Sequence, residues 1–379
     1  MRSRCHRTVY SSGTINRKDM PHRHGAGHWA AQYAPILITG CHTIEHVFQK
    51  EEKMKALIYT KTGDLDVLQI KEIDKPTPKD NQVLISVKAC ALSITDYERF
   101  KTLSSKDSFS TQIISALMGF AGSPIGAEIA GVVVEVGGNI THVKVGDSVY
   151  GKTAGTFPKG GFAEYALMDK DHVCIKPQNM TLEQASAISI SFETALGALR
   201  KGNVRAGQQV MIYGSSGGVG LYAVQLAKSM GANVTGVCST RNLELAKQMG
   251  CDYVIDYKKE DFTKVQTKFD AIIGVNGCNS MKDYKRLLKP NGIFVGVGGN
   301  VKQVSKAFLL SFISRNFSYF AGPIMPQKDY LSYAKELAET SKLLPYIDKI
   351  YSVKDTKEAI RYIVSSHTQG KVVVSMVFK

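Results

Sequence analysis

VMIYGSSGGVGLYAVQLA, residues Val210 to Ala227, changes character twice within one short stretch. An apolar run, Val210 to Tyr213, meets a glycine-rich turn, Gly214 to Gly220. The spacing then becomes helical, with Leu221, Val224 and Leu226-Ala227 able to share one face. The order is strand, tight turn, helix. Such a turn presents backbone N–H groups without Cβ obstruction, and the positive end of the helix dipole lies behind it, so a diphosphate is its natural ligand. A glycine turn alone is weak evidence, because many merely join a strand to a helix. Here a second apolar run, Val234 to Cys238, arrives where the next parallel strand of a dinucleotide-binding unit should lie.

Strands and helices alternate on both sides of this point. The pattern predicts strands at 210–213, 233–238, 253–256, 269–273 and 292–297, with helices at 221–230, 242–250 and 281–288. That alternation implies a doubly wound parallel sheet. It begins near Thr181, where Thr181-Leu182-Glu183-Gln184 has the form of a helix N-cap. Ahead of it, from Met54 to about Lys176, lie short strands separated by Pro and Gly turns: Ala56–Tyr59, Val67–Glu72, Val83–Ala89, Ile129–Val136, Val143–Val149 and Phe162–Ala166. They predict a mostly-β, barrel-like domain. After Gly322 come helices at Asp329–Ser341 and Asp355–Ser365. A last strand, Lys371–Val377, has no place in a parallel sheet, so the C-terminus is expected to return to the β domain. The implied division is 1–53 as an extension, 54–180 as the β domain, 181–320 as the nucleotide domain and 321–379 as the return.

Composition narrows the class. The 379 residues are 44% hydrophobic and 21% charged, the balance of a globular chain. No run reaches the ~18 apolar residues of a membrane span. The formal net charge is +15, but Lys and Arg are scattered and no aromatic–basic nucleic-acid motif appears. A solvated basic surface that also suits a polyanionic cofactor explains the charge. The seven cysteines, at 5, 41, 90, 174, 238, 251 and 278, include no CxxC pair, which argues against a disulfide framework or zinc finger and fits a reducing compartment.

Residues 1–53 differ from the rest. They hold six of the nine histidines and the single Trp29, without helical or strand periodicity. The basic, acid-poor opening suits a mitochondrial targeting segment. The alternative favoured here is a translated leader: Lys50-Glu51-Glu52-Lys53-Met54 can be encoded by a purine-rich ribosome-binding sequence before a start codon. Met54 would then begin a bacterial, cytoplasmic protein.

A β domain, a nucleotide domain and a return together resemble the medium-chain dehydrogenase/reductase superfamily, from Met54 onward. The segments that carry the likeness are Ala89 to Asp96, Gly126 to Gly131, Val145-Gly146-Asp147, Gly161 to Tyr165, the glycine turn, and Gly370-Lys371-Val372-Val373. The chain looks most like the zinc-independent quinone oxidoreductase branch, with a GroES-like barrel beside a Rossmann sheet. Zinc alcohol dehydrogenases place Cys and His where this chain has Ser93 and Ala127. Their third ligand would fall near Ile190, and no Cys lies between Val149 and Phe162 for the structural zinc loop. Catalytic zinc needs three ligating side chains, so no metal site is expected, and Cys90 reads as a small apolar strand residue.

Without a Lewis acid, alcohol oxidation is disfavoured. Hydride addition to a quinone or an α,β-unsaturated carbonyl is less demanding, because conjugation spreads the developing charge and polar groups can hold it. NADPH is the expected cofactor. An NAD site would place an acid at the end of the second strand, where this chain has Ser239-Thr240-Arg241, suited to a 2′-phosphate. The resemblance further implies cofactor contacts from Ser216, Gly217, Gly218 and Val219 of the turn, and from Thr194, Tyr257, Val297, Gly298 and Lys371. It departs from its relatives at Gly274-Val275-Asn276-Gly277, where Asp-x-Val-Gly is common. Ser93 and Tyr97 are the catalytic candidates, each able to hydrogen-bond a substrate oxygen, with simple packing as the other reading of Tyr97. Met118 and Phe120 are expected to line the pocket or cover the core. A homodimer is expected through a sheet edge near Ile293–Val297. Two rivals stand: a non-enzymatic NADPH-binding protein, and an alcohol or aldehyde dehydrogenase.

Overall fold

The computed structural model describes residues 52–59, 65–94, 96–97, 124–155, 160–275, 280–298, 315–320, 329–365 and 368–378. The first part is built from strands β1 (Lys53–Tyr59), β2 (Leu68–Asp74), β3 (Gln82–Leu92), β4 (Glu128–Val136), β5 (Ser148–Lys152), β6 (Tyr165–Asp169) and β7 (Val173–Ile175). β1 and β2 form an antiparallel pair. The others build an antiparallel sheet around β3, the longest strand, which pairs with β4 along one side and with β6 on the other. Register shifts between Leu84 and Ile85 and between Val87 and Ala89 bend β3 against β4, the device by which a sheet curls toward a barrel. Gly131 allows the close approach, since a Cβ there would sit 2.1 Å from the Ser86 carbonyl oxygen.

Helix α1 (Leu182–Ser186) then starts at Thr181, whose side chain accepts from the Gln184 N–H while the Gln184 side chain accepts from the Thr181 N–H. This reciprocal cap is the arrangement read from the sequence. Helix α2 (Ser189–Lys201) follows, almost wholly buried. The nucleotide domain continues through β8 (Gln209–Tyr213), α3 (Gly218–Ser229), β9 (Asn233–Cys238), α4 (Leu243–Gln248), β10 (Tyr253–Asp256), β11 (Phe269–Val275), α5 (Met281–Leu287), β12 (Leu288–Val297) and β13 (Phe317–Phe320). All its pairings are parallel, in the order β10-β9-β8-β11-β12-β13. Interior strands such as Val210 to Ile212 and Ala271 to Ile273 are buried on both faces, as a sheet covered by helices on either side requires.

One expectation is overturned. The run Ile293–Val297 is not a sheet edge: β13 lies outside it, with Phe294 opposite Phe317 and Val297 opposite Phe320. Its apolarity serves the sheet interior, and among the described residues β13 is the outermost strand on that side.

The chain closes with α6 (Tyr330–Glu339), β14 (Ile347–Ser352), α7 (Thr356–Val364) and β15 (Lys371–Ser375). β15 pairs antiparallel with β3, with Val372 opposite Leu92, and β14 lies outside it. The C-terminus therefore returns to the first sheet. The return also brings Gly370 against the glycine turn, where its N–H donates to the Ser216 carbonyl at 2.9 Å.

Candidate active site

A cleft of about 810 Å³ runs along the carboxyl ends of β8, β9, β11 and β12 and is closed on its far side by the ends of β3 and β15. The strand order reverses between β8 and β11, so the loops leaving them diverge and open the crevice in which such sheets bind nucleotides.

Its floor is the glycine turn, and three of its glycines have separate reasons. Gly214 has a positive φ of 79°. Gly220 lets helix α3 close on the turn, because a Cβ there would lie 2.0 Å from the Gly214 oxygen. Gly217 is different: the nearest atom to an added Cβ is 3.7 Å away. The fold does not require a glycine at that point, whereas a ligand lying on the turn would. Ser216, Gly217, Gly218 and Val219 all line the cleft, and α3 begins at Gly218, so the positive end of the helix faces the cleft.

The corner after β9 and β10 holds Ser239, Arg241 and Tyr257, all lining the cleft. Thr240 does not join them. Its hydroxyl donates to Asp256 Oδ2 at 2.6 Å, and that bond holds the Asp256 carboxyl below its ordinary range. Sequence spacing placed Thr240 at the corner but could not give its side-chain direction. Thr194, Val297 and Gly298 line the opposite end. Thr194 spends its proton on the Ile190 carbonyl at 2.7 Å, which leaves its oxygen as an acceptor.

Lys371 lines the cleft but turns inward. It is 4% exposed and donates to Glu128 Oε2 and, at 3.0 Å, to Ser191 Oγ. Glu128 Oε1 accepts from the Ile190 and Ser191 N–H groups at 2.6 and 2.9 Å. Burial pushes the Glu128 carboxyl up, while Lys371 and the two N–H donors pull it back. This buried cluster was not assigned from sequence, although Glu128 lay in a quoted segment. A carboxylate in an otherwise apolar run, Ile125 to Val134, is the signal that points to it.

Ser93 lies at the cleft, with its N–H and its hydroxyl both donating to Asp96 Oδ2 at 2.9 and 3.1 Å. Tyr97 is half-buried and packs against the apolar core of the first sheet. Met118 and Phe120, and Asn276 and Gly277 after β11, fall outside the described residues. The cleft does not fit a zinc ion. Ser93 is occupied by Asp96, Ala127 and Ile190 carry no ligating atom, and burial pushes the Cys90 thiol well up, away from the thiolate a metal needs. Among the described residues no three His, Cys, Asp or Glu side chains are grouped to hold a metal. No helix among them is long and apolar enough to cross a membrane.

Two family models match: the alcohol dehydrogenase GroES-like domain over residues 79–178 and the zinc-binding dehydrogenase over residues 249–374. The second match does not include Ser93, Ala127 or Ile190. The chain is 31% identical over 336 residues to the 2-methylene-furan-3-one reductase of Solanum lycopersicum, covering 85% of this chain and 79% of that protein. It is 29% identical over 338 residues to an NADPH-dependent alkenal/one oxidoreductase, chloroplastic, of Arabidopsis thaliana, covering 85% and 80%. Among solved structures, the quinone oxidoreductase from Coxiella burnetii superposes with a TM-score of 0.74 at 27% identity, covering 86% of this chain and 99% of that one. From its barrel, its 3-2-1-4-5-6 type sheet, its glycine turn and these likenesses, the chain belongs to the medium-chain dehydrogenase/reductase superfamily, in the quinone oxidoreductase branch.

Proposed function

We propose that the protein is an NADPH-dependent oxidoreductase that reduces quinones or α,β-unsaturated carbonyls without zinc. The observation that carries this reading is the cleft itself. It joins a glycine turn open at Gly217 to a corner of Ser239 and Arg241, and neither Ser93, held by Asp96, nor Ile190 in its lining offers a metal ligand.

NADPH, when bound, supplies the hydride. The N–H groups of Ser216, Gly218 and Val219 hold its diphosphate, the Gly217 N–H being already donated to the Gly214 carbonyl at 3.2 Å. Ser239 and Arg241 take the 2′-phosphate, with Tyr257 beside it. Thr194, with its oxygen left as an acceptor, suits the N–H₂ of the carboxamide, and the backbone at Val297 and Gly298 borders the same end. Ser93 is the hydroxyl nearest to a catalytic role. It can donate to a substrate oxygen only by exchanging its bond to Asp96, so it orients and polarises rather than supplying a free proton.

The test follows NADPH absorbance with a panel of quinones and enones, and in parallel with NADP and primary or secondary alcohols. Oxidation of NADPH by the first panel supports the reading. Turnover of alcohols alone would overturn it in favour of a dehydrogenase. Tight NADPH binding without turnover on any acceptor would overturn it in favour of a non-enzymatic binder.

The same reading includes a homodimer, now through β13, the outermost strand of the parallel sheet among the described residues, since a strand edge favours pairing with a second copy. Sedimentation at micromolar concentration should give twice the chain mass, and a monomer rejects it. A reducing cytoplasm suits the free thiols of Cys90, Cys174, Cys238 and Cys251.

A further inference from the structure

Two serines line the cleft in its phosphate region, Ser216 in the glycine turn and Ser239 after β9. Asn242, buried at the start of α4, stands between them. Its Nδ2 donates to Ser216 Oγ at 2.7 Å and to Ser239 Oγ at 3.2 Å.

The orientation of this amide is fixed by a neighbour. Gln369, just ahead of β15, sends Nε2 to the Arg241 carbonyl at 3.4 Å and to Asn242 Oδ1 at 2.6 Å. A main-chain carbonyl can only accept, so the Gln369 group that faces it is the N–H₂. The second proton of that group then requires an acceptor, which makes the Asn242 atom beside it the oxygen. The N–H₂ of Asn242 must therefore face the serines. Gln369 is itself held by its N–H donating to Asp348 Oδ2 at 2.9 Å, the same oxygen to which Tyr362 donates at 2.8 Å.

All four amide protons are thus used, and each serine oxygen receives one of them. An N–H₂ cannot accept in return. Neither serine proton is drawn toward Asn242, so both hydroxyls are left as donors for whatever occupies the cleft. A phosphate has only acceptors to offer.

We infer that Asn242 is a positioning residue, which sets the hydroxyls of Ser216 and Ser239 as paired donors toward the diphosphate and the 2′-phosphate of NADPH. This rests on the cofactor reading above. One side chain thereby links a site common to both nicotinamide cofactors with a site that only NADPH fills.

The test measures dissociation constants of NADPH and NADH by cofactor fluorescence, for wild type, Asn242→Ala, Ser239→Ala and the double variant. Asn242→Ala should weaken NADPH by about tenfold and NADH by about threefold, because it removes the orientation of each hydroxyl and not the hydroxyl itself, an effect of roughly threefold per serine, the size of one ordinary hydrogen bond. In the Ser239→Ala background it should weaken both cofactors equally, the 2′-phosphate part having already gone. An unchanged NADPH-to-NADH ratio in Asn242→Ala overturns the inference, and so does a ratio that still shifts in the Ser239→Ala background. If Asn242→Ala does not fold, Gln369→Met replaces it, leaving Asn242 in place while removing the group that orients it. The ratio should shift the same way, and an unmoved ratio overturns the proposal. Wild type that binds neither nucleotide overturns the cofactor reading and this inference together, whereas wild type that binds NADPH isolates the role of Asn242.

Discussion

Thr240 and Arg241 are neighbours in the chain, yet the structure gives them different work. The Thr240 hydroxyl is committed to Asp256, so Thr240→Val should leave NADPH affinity almost unchanged and lower stability. The pH dependence follows from the sign of the shift. Asp256 is held below its ordinary value, so its contribution is present above about pH 4 and is lost as pH falls through the lower folded value. Melting curves of Thr240→Val and wild type should therefore differ at pH 7 and converge toward pH 3, and a constant gap rejects the assignment. Arg241 lines the cleft. A charge-assisted hydrogen bond contributes roughly 1.5–3 kcal/mol, so Arg241→Ala should weaken NADPH about tenfold to a hundredfold and leave NADH nearly unmoved. The effect should shrink as salt rises. Equal weakening of the two cofactors means that Arg241 supports the fold instead. Residue type and spacing made this corner legible in the sequence. Side-chain direction was not legible, because it depends on β10, which comes beside β9 only through tertiary pairing.

At the scale of the element, the glycine turn separates ligand from fold. A Cβ at Gly220 meets the Gly214 oxygen at 2.0 Å, whereas one at Gly217 meets nothing closer than 3.7 Å. Gly220→Ala should lower stability by roughly 1–3 kcal/mol, the usual cost of overpacking, with affinity changing only as the turn distorts. Gly217→Val should melt near wild type and lose NADPH binding by about a hundredfold or more, about 2.7 kcal/mol. The idea is refuted by Gly217→Val that binds normally. The helical spacing of α3 and the continuous apolar run of β9 could be read directly, as could the Thr181 cap. β7, β13 and β14 were missed. β7 and β13 are three and four residues long, and β14, though six, has no fully buried residue, so no apolar alternation marks it. Missing β13 led to the mistaken edge at Ile293–Val297: an apolar run is the same in sequence whether its neighbour is another strand or a second molecule.

Across the whole molecule, the return of the C-terminus was legible only by exclusion, from a strand with no place in the parallel sheet. What fastens that return is the buried group of Glu128 on β4, Lys371 on β15 and Ser191 on α2. It ties the barrel sheet to the helix that leads into the nucleotide domain, directly beneath the cleft. A buried ion pair contributes little net stability compared with an apolar pair, but removing one partner strands the other and costs about 3–5 kcal/mol. Lys371→Met should therefore lower the melting temperature markedly, and Glu128→Gln added to it should restore much of the loss, a non-additivity expected of groups in contact. The pH dependence has the opposite sign to that of Asp256. Burial already pushes the Glu128 carboxyl up, and losing Lys371 pushes it further. The folded state then holds a proton that the unfolded state releases, so the variant loses stability as pH rises. Its deficit against wild type should be largest near pH 8 and narrow toward pH 5. Calorimetry across that range, on Lys371→Met and on the double variant, reads both effects. A deficit independent of pH, or a double variant no better than the single, would show that Lys371 contributes by its packed stem over Gly218 and not by neutralising Glu128.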